Sequence, residues 1–317
     1  MVNTPFKDVQ KGSSHIHPGL QFLIFIFLSI AIIIIGSIIG GIVAASLYGS
    51  NTLLAIQKIN ISAPYFVDAL WVLQIIGMTL PVLATPVFFA YVVVREPKDY
   101  IKPGLRFSWI LLVLIFAIMF ISMPLTEFLT NLNQKMVLPH FLQWMRDQED
   151  TSEKLMAGLL QMKTIWDLLK NLLLIGLLTA IAEEFMFRGV LQTIFVRWTK
   201  NTHVAIWITA ILFSAFHVEF FGFLPRVMLG ALFGYFVAWS GSIWPAVWAH
   251  FINNGTIVIV TYLFNKKQIK ISPDDQHLFN YSGYIISLAI VLFLLFVYRK
   301  TAFDKLQTSD FDGKELG

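Results

Sequence analysis

The chain contains no cysteine and carries little charge. Without cysteine it has no disulfide, no thiol nucleophile and no Cys-ligated metal, although this absence does not identify a compartment. Only 13% of the 317 residues are charged, whereas about a quarter are charged in a typical soluble domain. The net charge of +4 is too small to indicate nucleic acid as a partner. The low fraction of charged residues argues against a soluble globular protein.

Some protease motifs are missing as well. The sequence has no HExxH, which excludes a zinc protease built on that helical motif, and no GxGD, the motif of intramembrane aspartyl proteases. The run AWSGS, which begins at Ala238, is only loosely similar to the GxSG of rhomboid proteases, because Ala238 stands in place of the first glycine.

Hydrophobic residues make up 57% of the chain, and the mean hydropathy is +0.71. Because a membrane-spanning helix needs about 20 apolar residues, the sequence predicts an all-α fold, a polytopic membrane bundle of about eight helices. The first apolar stretch is far longer than the core of a signal peptide, so we expect it to remain as a span. The eight stretches are 20–48, 66–94, 107–124, 165–187, 204–221, 224–240, 243–264 and 279–298.

We expect the chain to divide into five parts. They are a cytoplasmic N-terminal segment (1–19), N-terminal membrane helices (20–164), a helical core with the polar motifs described below (165–264), a loop with the last span (265–300) and a polar, disordered tail (301–317). Within the second part, residues 125–163 mix apolar and charged side chains. This mixture predicts an amphipathic helix pair at the outer membrane interface, although an ordinary solvated loop helix has the same pattern.

Basic residues indicate the orientation of the chain. They cluster between spans two and three, between spans four and five, and after the last span. If both termini are cytoplasmic, all three clusters lie inside, as the positive-inside rule requires, whereas Lys266, Lys267 and Lys270 then lie outside. We therefore expect an integral protein of a bacterial plasma membrane with both termini in the cytoplasm.

The segment AEEFMFRG, Ala182–Gly189, places charged residues inside an apolar helix. Residues four apart share one face of a helix, so Glu184 and Arg188 are expected to form an ion pair that lowers the cost of both charges. Glu183 then points elsewhere. A carboxylate left over in a low-dielectric site is suited to exchanging protons, but it could also serve only to hold helices together.

Two later helices supply further polar side chains. His217 ends the run LFSAFH, and His250 lies one turn before Asn254 in HFINN. If the chain turns near Lys200 as a helical hairpin, Glu183 and His217 are equally far from the turn and therefore level. His250 reaches the same depth only if this hairpin projects into the cytoplasm. A single buried histidine is more often a packing residue than a catalyst, so that alternative stays open for each.

Three short segments together resemble a known family. EEFMFR, FSAFH and HFINN match, in order, the signatures EExxxR, FxxxH and HxxxN of the CAAX protease and bacteriocin-processing (CPBP, or Abi) family, which consists of intramembrane endopeptidases. The second signature begins at Phe213. The resemblance covers roughly residues 165–260, and no key position departs from the pattern.

The resemblance implies hydrolysis of peptide bonds within the membrane, without a covalent intermediate, as in type II CAAX prenyl endopeptidases. Its partners would be membrane lipid and a membrane-associated or lipid-anchored peptide or protein. Glu183 would activate a water molecule and His217 would assist it. His250 and Asn254 would stabilise the oxyanion of the tetrahedral intermediate. The orienting residues would be Glu184, Arg188 and Phe213.

The resemblance also raises the question of a metal ion, because the family is described as metalloproteases. Glu183, His217 and His250 could supply three ligands of a zinc ion, with water as the fourth. Asparagine is a poor zinc ligand, which would leave Asn254 outside the coordination sphere. The sequence leaves a divalent metal open.

Non-catalytic functions are the alternative. The chain could be a bacteriocin immunity protein or regulatory scaffold of the same family, or a transporter with a buried proton relay. A pseudoprotease would be expected to lack at least one of the four catalytic positions, and none is lost. Many transporters show repeated halves, and no repeat is found here. Proteolysis is therefore the favoured hypothesis.

Overall fold

The computed structural model describes residues 15–105, 107–273, 275 and 277–312. Within these ranges the secondary structure is helical, with no strand. The predicted all-α membrane bundle is therefore confirmed. Residues 1–14, most of the predicted N-terminal segment, lie outside the described part of the chain.

The helices are numbered here in chain order. They are α1 (Pro18–Tyr48), α2 (Ser50–Gln57), α3 (Phe66–Val93), α4 (Pro97–Ile101), α5 (Ile110–Ile121), α6 (Met123–Gln134), α7 (Gln143–Leu159), α8 (Ile165–Thr199), α9 (Thr202–Phe216), α10 (Phe223–Ser240), α11 (Trp244–Asn265) and α12 (Tyr281–Asp312). Two helices contain π-helical segments, which are Leu73–Thr79 and Phe89–Val93 in α3 and Leu172–Leu178 and Phe185–Leu191 in α8.

The number of spans is smaller than predicted. Among the described residues, six helices are long and apolar enough to cross a membrane, namely α1, α3, α8, α10, α11 and α12 up to Asp304. A seventh candidate is the pair α5 and α6, which is bent by 42°. α9 is apolar, but its 15 residues are fewer than the roughly 20 that a span needs. All eight predicted stretches contain helix, yet length and composition support at most seven spans.

Large apolar side chains point outward along the first and last helices. Phe27 on α1 is 70% exposed and Phe296 on α12 is 64% exposed. Such continuous apolar surface is costly in water and favourable against lipid. The chain is an integral membrane protein whose outer helices face lipid.

Four helices form a ring that holds the polar motifs. α8 packs on α11 through its first half and on α9 through its second half, while α10 lies between α9 and α11. Two glycines of α10 allow the close approach, because a Cβ at Gly230 would meet Ala210 of α9 and a Cβ at Gly234 would meet Ile206. The ring therefore surrounds the region in which Glu183, His217 and His250 could meet.

The predicted amphipathic pair over 125–163 corresponds to α6 and α7. α7 lies against the loop that follows His217. A carboxylate oxygen of Glu149 accepts a hydrogen bond from the Phe221 amide at 3.2 Å, and the Arg146 guanidinium lies 4.5 Å from the centre of the Phe221 ring. The position of this pair at the outer membrane interface stays a prediction, as does the orientation of the chain.

The predicted disorder of the tail is wrong for its first part. α12 continues to Asp312, well beyond the expected end of the last span, while residues 313–317 lie outside the described part of the chain. Packing accounts for the start of this extension. Tyr298 and Ala302 are buried, and the Tyr298 hydroxyl lies 3.3 Å from the Phe236 carbonyl on α10.

Candidate active site

The ion pair predicted from helix spacing is present. A guanidinium nitrogen of Arg188 lies 2.6 Å from Oε1 of Glu184, and both side chains are fully buried. A second guanidinium nitrogen donates to the Gly230 carbonyl on α10 at 3.1 Å, and the guanidinium lies 4.3 Å from the centre of the Phe213 ring. Arg188 thus joins α8, α9 and α10 at the centre of the ring, where its charge is balanced by Glu184.

Glu184 has a second partner that sequence reasoning missed. Nδ1 of His250 lies 2.8 Å from the same oxygen, Oε1 of Glu184. The imidazole is stacked on the Phe233 ring at a centroid distance of 5.2 Å and meets the Phe213 ring edge-on at 5.9 Å. Because a carboxylate oxygen can only accept, Nδ1 of His250 carries a proton and Nε2 faces away from Glu184.

Glu183 faces the two imidazoles. Its Oε2 lies 3.9 Å from Nε2 of His217 and 3.8 Å from Nε2 of His250. This oxygen is buried and, within the described structure, has no hydrogen-bond partner. Both separations exceed a direct hydrogen bond and suit a bridging water molecule. The three residues therefore converge as predicted.

The orientation of His217 follows from its neighbour Phe213. Nδ1 of His217 lies 2.9 Å from the Phe213 carbonyl oxygen, which can only accept, so this nitrogen donates and Nε2 presents a lone pair. The Phe213 ring also lies edge-on to the His217 ring at 5.1 Å. Phe213 thus contacts both imidazoles and the guanidinium. While each ring carries only its Nδ1 proton, Oε2 of Glu183 and the two Nε2 atoms are all acceptors, so a water molecule could donate hydrogen bonds to two of them.

Asn254 is placed differently from the other three. Its side-chain amide donates to the Ile175 carbonyl on α8 at 3.3 Å, and its oxygen accepts from Asn253 at 3.2 Å. The bond to Ile175 therefore ties α11 to the first π-helical segment of α8. An amide nitrogen carries two hydrogens, so one remains for another acceptor.

Comparison with known protein families finds a match for the helices that carry the three motifs. Residues 165–256 match the family model described as "Type II CAAX prenyl endopeptidase Rce1-like". These residues form an Rce1-like domain. The resemblance predicted from the three motifs is thus confirmed for the segment that carries them.

The similarity to curated proteins is confined to a short stretch. Over 86 residues the chain is 31% identical to "Uncharacterized protein YpbD" of Bacillus subtilis (strain 168). The stretch covers 26% of this chain and 41% of that protein, so the chain spans well under two thirds of this relative. No solved structure matches the chain.

The connection between α3 and α5 lies beside two helices of the Rce1-like domain. The connection before α5 contacts both α8 and the residue before α11, because Tyr100 lies against Gly189 and the Ile243 amide donates to the Lys102 carbonyl at 3.1 Å. Gly189 and Ile243 therefore both lie beside this connection. α8 continues from there to Thr199, about 15 Å further. The projection of the hairpin into the cytoplasm stays a prediction.

The metal ligands suggested by the sequence do not fit a metal ion as they are arranged. Ligand atoms that share a tetrahedral zinc ion lie about 3.4 Å apart, whereas Nε2 of His217 and of His250 lie 3.9 and 3.8 Å from Oε2 of Glu183. No group of three His, Cys, Asp or Glu side chains in the described part of the chain is arranged to hold a metal. The divalent cation stays a prediction.

Two further residues of the site were missed. Gly189 ends the segment AEEFMFRG, and a Cβ there would lie 2.7 Å from the Tyr100 carbonyl oxygen. The sequence could have indicated the role of Gly189, since a glycine inside a helical pattern usually has a packing reason. Lys102 was counted only among the loop charges, yet it is buried against Thr193 of α8. Nothing in its local sequence indicates that burial.

We expect Gly189→Ala to destabilise the Rce1-like domain by about 1–3 kcal/mol, because the new methyl group meets backbone that cannot rotate away. Gly41→Ala on α1 is the matched control. A Cβ there has no neighbour within 4 Å, so alanine should be neutral or stabilising by up to about 1 kcal/mol. Thermal unfolding in detergent measures both changes. Equal unfolding temperatures would contradict the close approach at Gly189.

Proposed function

We propose that the chain is an intramembrane endopeptidase that hydrolyses peptide bonds of membrane-associated or lipid-anchored substrates. One observation carries the proposal, which is that the buried, unpartnered Oε2 of Glu183 faces Nε2 of two histidines from two other helices. The Rce1-like domain supports a protease of this kind. We expect the protein to reside in a bacterial plasma membrane with cytoplasmic termini.

The first step of the proposed reaction uses the gap beside Glu183. A water molecule there would donate one hydrogen to Oε2 of Glu183 and the other to Nε2 of His217. Glu183 takes the proton while the water oxygen forms a bond to the carbonyl carbon of the substrate. The carbonyl electron pair moves to oxygen and creates the oxyanion. Glu183 then passes its proton to the amide nitrogen as the C–N bond breaks, which yields a carboxylic acid and an amine and returns Glu183 to its carboxylate form.

The two histidines differ in what holds them, and this difference supports different roles. Nδ1 of His217 faces a neutral carbonyl, whereas Nδ1 of His250 faces the Glu184 carboxylate. An imidazole beside an anion is the better place for a positive charge. As an imidazolium, with a second proton on Nε2, His250 is the candidate for donating to the oxyanion, and the second amide hydrogen of Asn254 could add to that stabilisation.

The test is a cleavage assay with the full chain in phospholipid vesicles. The peptide panel contains unmodified leader-like sequences, acylated peptides and prenylated peptides, and mass spectrometry locates any cut. We expect at least one class to be cut by the wild type and by Asp150→Asn, a control at an exposed acid of α7. An immunity protein, scaffold or transporter would cut none. Cleavage that persists at the wild-type rate in Glu183→Gln would also contradict the proposal.

A further inference from the structure

The segment 96–104, between α3 and α5, contacts the helix that carries Glu183. On α8, Arg197 forms ion pairs with Glu96 and, at 2.9 Å, with Asp99. The Nζ atom of Lys102 contacts Thr193 and lies 3.5 Å from the Gly189 carbonyl oxygen. Gly189 is less than two turns from Glu183. Segment 96–104 therefore binds α8 close to Glu183.

The same segment contacts the start of the helix that carries His250. Three consecutive carbonyl oxygens accept hydrogen bonds from the residues that lead into α11. Lys102 accepts from the Ile243 amide at 3.1 Å, Pro103 from the Trp244 indole at 3.0 Å, and Gly104 from the Ser242 hydroxyl at 2.6 Å. Segment 96–104 thus links the start of α11 to α8.

Lys102 lies at the junction of these two sets of contacts. Its side chain binds α8 while its carbonyl binds the residue before α11, and it is only 6% exposed. Burial lowers the pKa of Lys102 from 10.5 to about 7, with Asp99 opposing and Arg197 adding to the shift. The other ionisable groups nearby, Glu96 and Tyr100, are themselves bonded to Arg197.

We propose that Lys102 is a positioning residue whose ammonium form holds α8 and α11 in the register that brings Glu183 to His250. An ammonium has three hydrogens and a full charge for the Thr193 and Gly189 oxygens, whereas a neutral amine has two hydrogens and no charge. Loss of the proton therefore weakens the contacts with α8, although it also removes the cost of burying a charge. The inference rests on the proposed function for its effect on catalysis, but its effect on the site can be measured separately.

Activity and stability should respond to pH in opposite directions. In the folded chain Lys102 loses its proton at a lower pH than in the unfolded chain, so the unfolded state binds more protons between about pH 7 and 10.5. This group consequently adds to stability as pH rises through that window. The cleavage rate, which depends on the ammonium, should fall as pH rises through about 7. A lysine with only a structural role would move both quantities together.

The test compares Lys102→Met with Lys98→Met, a control at an exposed lysine of the same segment. We expect wild-type kcat to exceed that of Lys102→Met by about tenfold at pH 6 and by little at pH 8.5, with KM unchanged. The unfolding temperature of the wild type should rise with pH relative to Lys102→Met. Lys98→Met should follow the wild type in both measurements.

An activity-independent measurement separates this proposal from the proposed function. With ¹³C-labelled histidine, the His250 resonance, assigned with His250→Asn, should shift at pH 6.5 in Lys102→Met and stay in place in Lys98→Met. An unchanged His250 resonance, or a kcat ratio that is the same at every pH, overturns the positioning role. If no peptide is cut, the proposed function is wrong. The His250 resonance then tests the positioning role of Lys102 by itself. If Lys102→Met does not fold, Thr193→Val takes its place in each measurement. That variant removes the hydroxyl that Nζ of Lys102 contacts.

Discussion

Glu183→Gln should lose about a thousandfold of kcat while unfolding at the wild-type temperature. The amide has the shape of the carboxylate but cannot take a proton from water, and a positioned general base contributes about 10²–10⁴-fold to a rate. Stability should hardly change, because Oε2 of Glu183 has no hydrogen-bond partner to lose. The measurement pairs single-turnover cleavage in vesicles with thermal unfolding.

The control for this experiment is His217→Asn, which removes the ring on one side of Glu183 but leaves the carboxylate. It should lower kcat by a smaller factor than Glu183→Gln does, because His217 assists and Glu183 accepts the proton. A His217→Asn variant that is less active than Glu183→Gln would reverse these roles. A Glu183→Gln variant with full activity would remove the glutamate from the mechanism altogether.

Glu184→Gln should lower the free energy of unfolding by about 3 kcal/mol, far more than Glu183→Gln. The neighbouring acids differ because Glu184 balances the fully buried charge of Arg188 and also holds His250. Removing one partner of a buried ion pair costs about 3–5 kcal/mol, since the other charge stays buried. Chemical unfolding in detergent measures the difference between the two variants.

The double variant Glu184→Leu with Arg188→Leu tests the reason for this loss. Replacing a whole buried ion pair by apolar residues is often close to neutral, so the double variant should recover much of the stability that Glu184→Gln loses. It should still be inactive, because Nδ1 of His250 no longer has its acceptor. Equal free energies of unfolding for Glu183→Gln and Glu184→Gln would contradict the assignment of the ion pair.

Sequence reasoning was sufficient where the contact is local to one helix or follows from the symmetry of a hairpin. Glu184 and Arg188 are one turn apart, and the ion pair survives although Arg188 lies in a π-helical segment. Glu183 and His217 are level because each is equally far from the turn. Neither inference needed to know how separate helices are rotated about their axes.

The contacts that sequence reasoning missed depend on that rotation. Nδ1 of His250 meets Glu184 because α11 is turned so that its imidazole stacks on Phe233 of α10. Asn254 shares a face with His250, yet its amide is taken up by the Ile175 carbonyl in a π-helical segment, and hydrophobic periodicity does not reveal such segments. Lys102 looked like an ordinary loop charge because its burial depends on α8 and α11, which are distant in sequence.

The π-helical segments of α8 have a consequence for the history of the chain. A π turn holds one residue more than an α turn, so each segment is equivalent to a single-residue insertion in an α-helix. Homologous chains that lack the segment Leu172–Leu178 should have one residue fewer between the positions of Lys170 and Glu183, with Glu183 still in place. A one-residue gap in an alignment at that point would then mark a change between π-helix and α-helix. Insertions and deletions, as well as substitutions, would therefore carry information about how this domain has evolved.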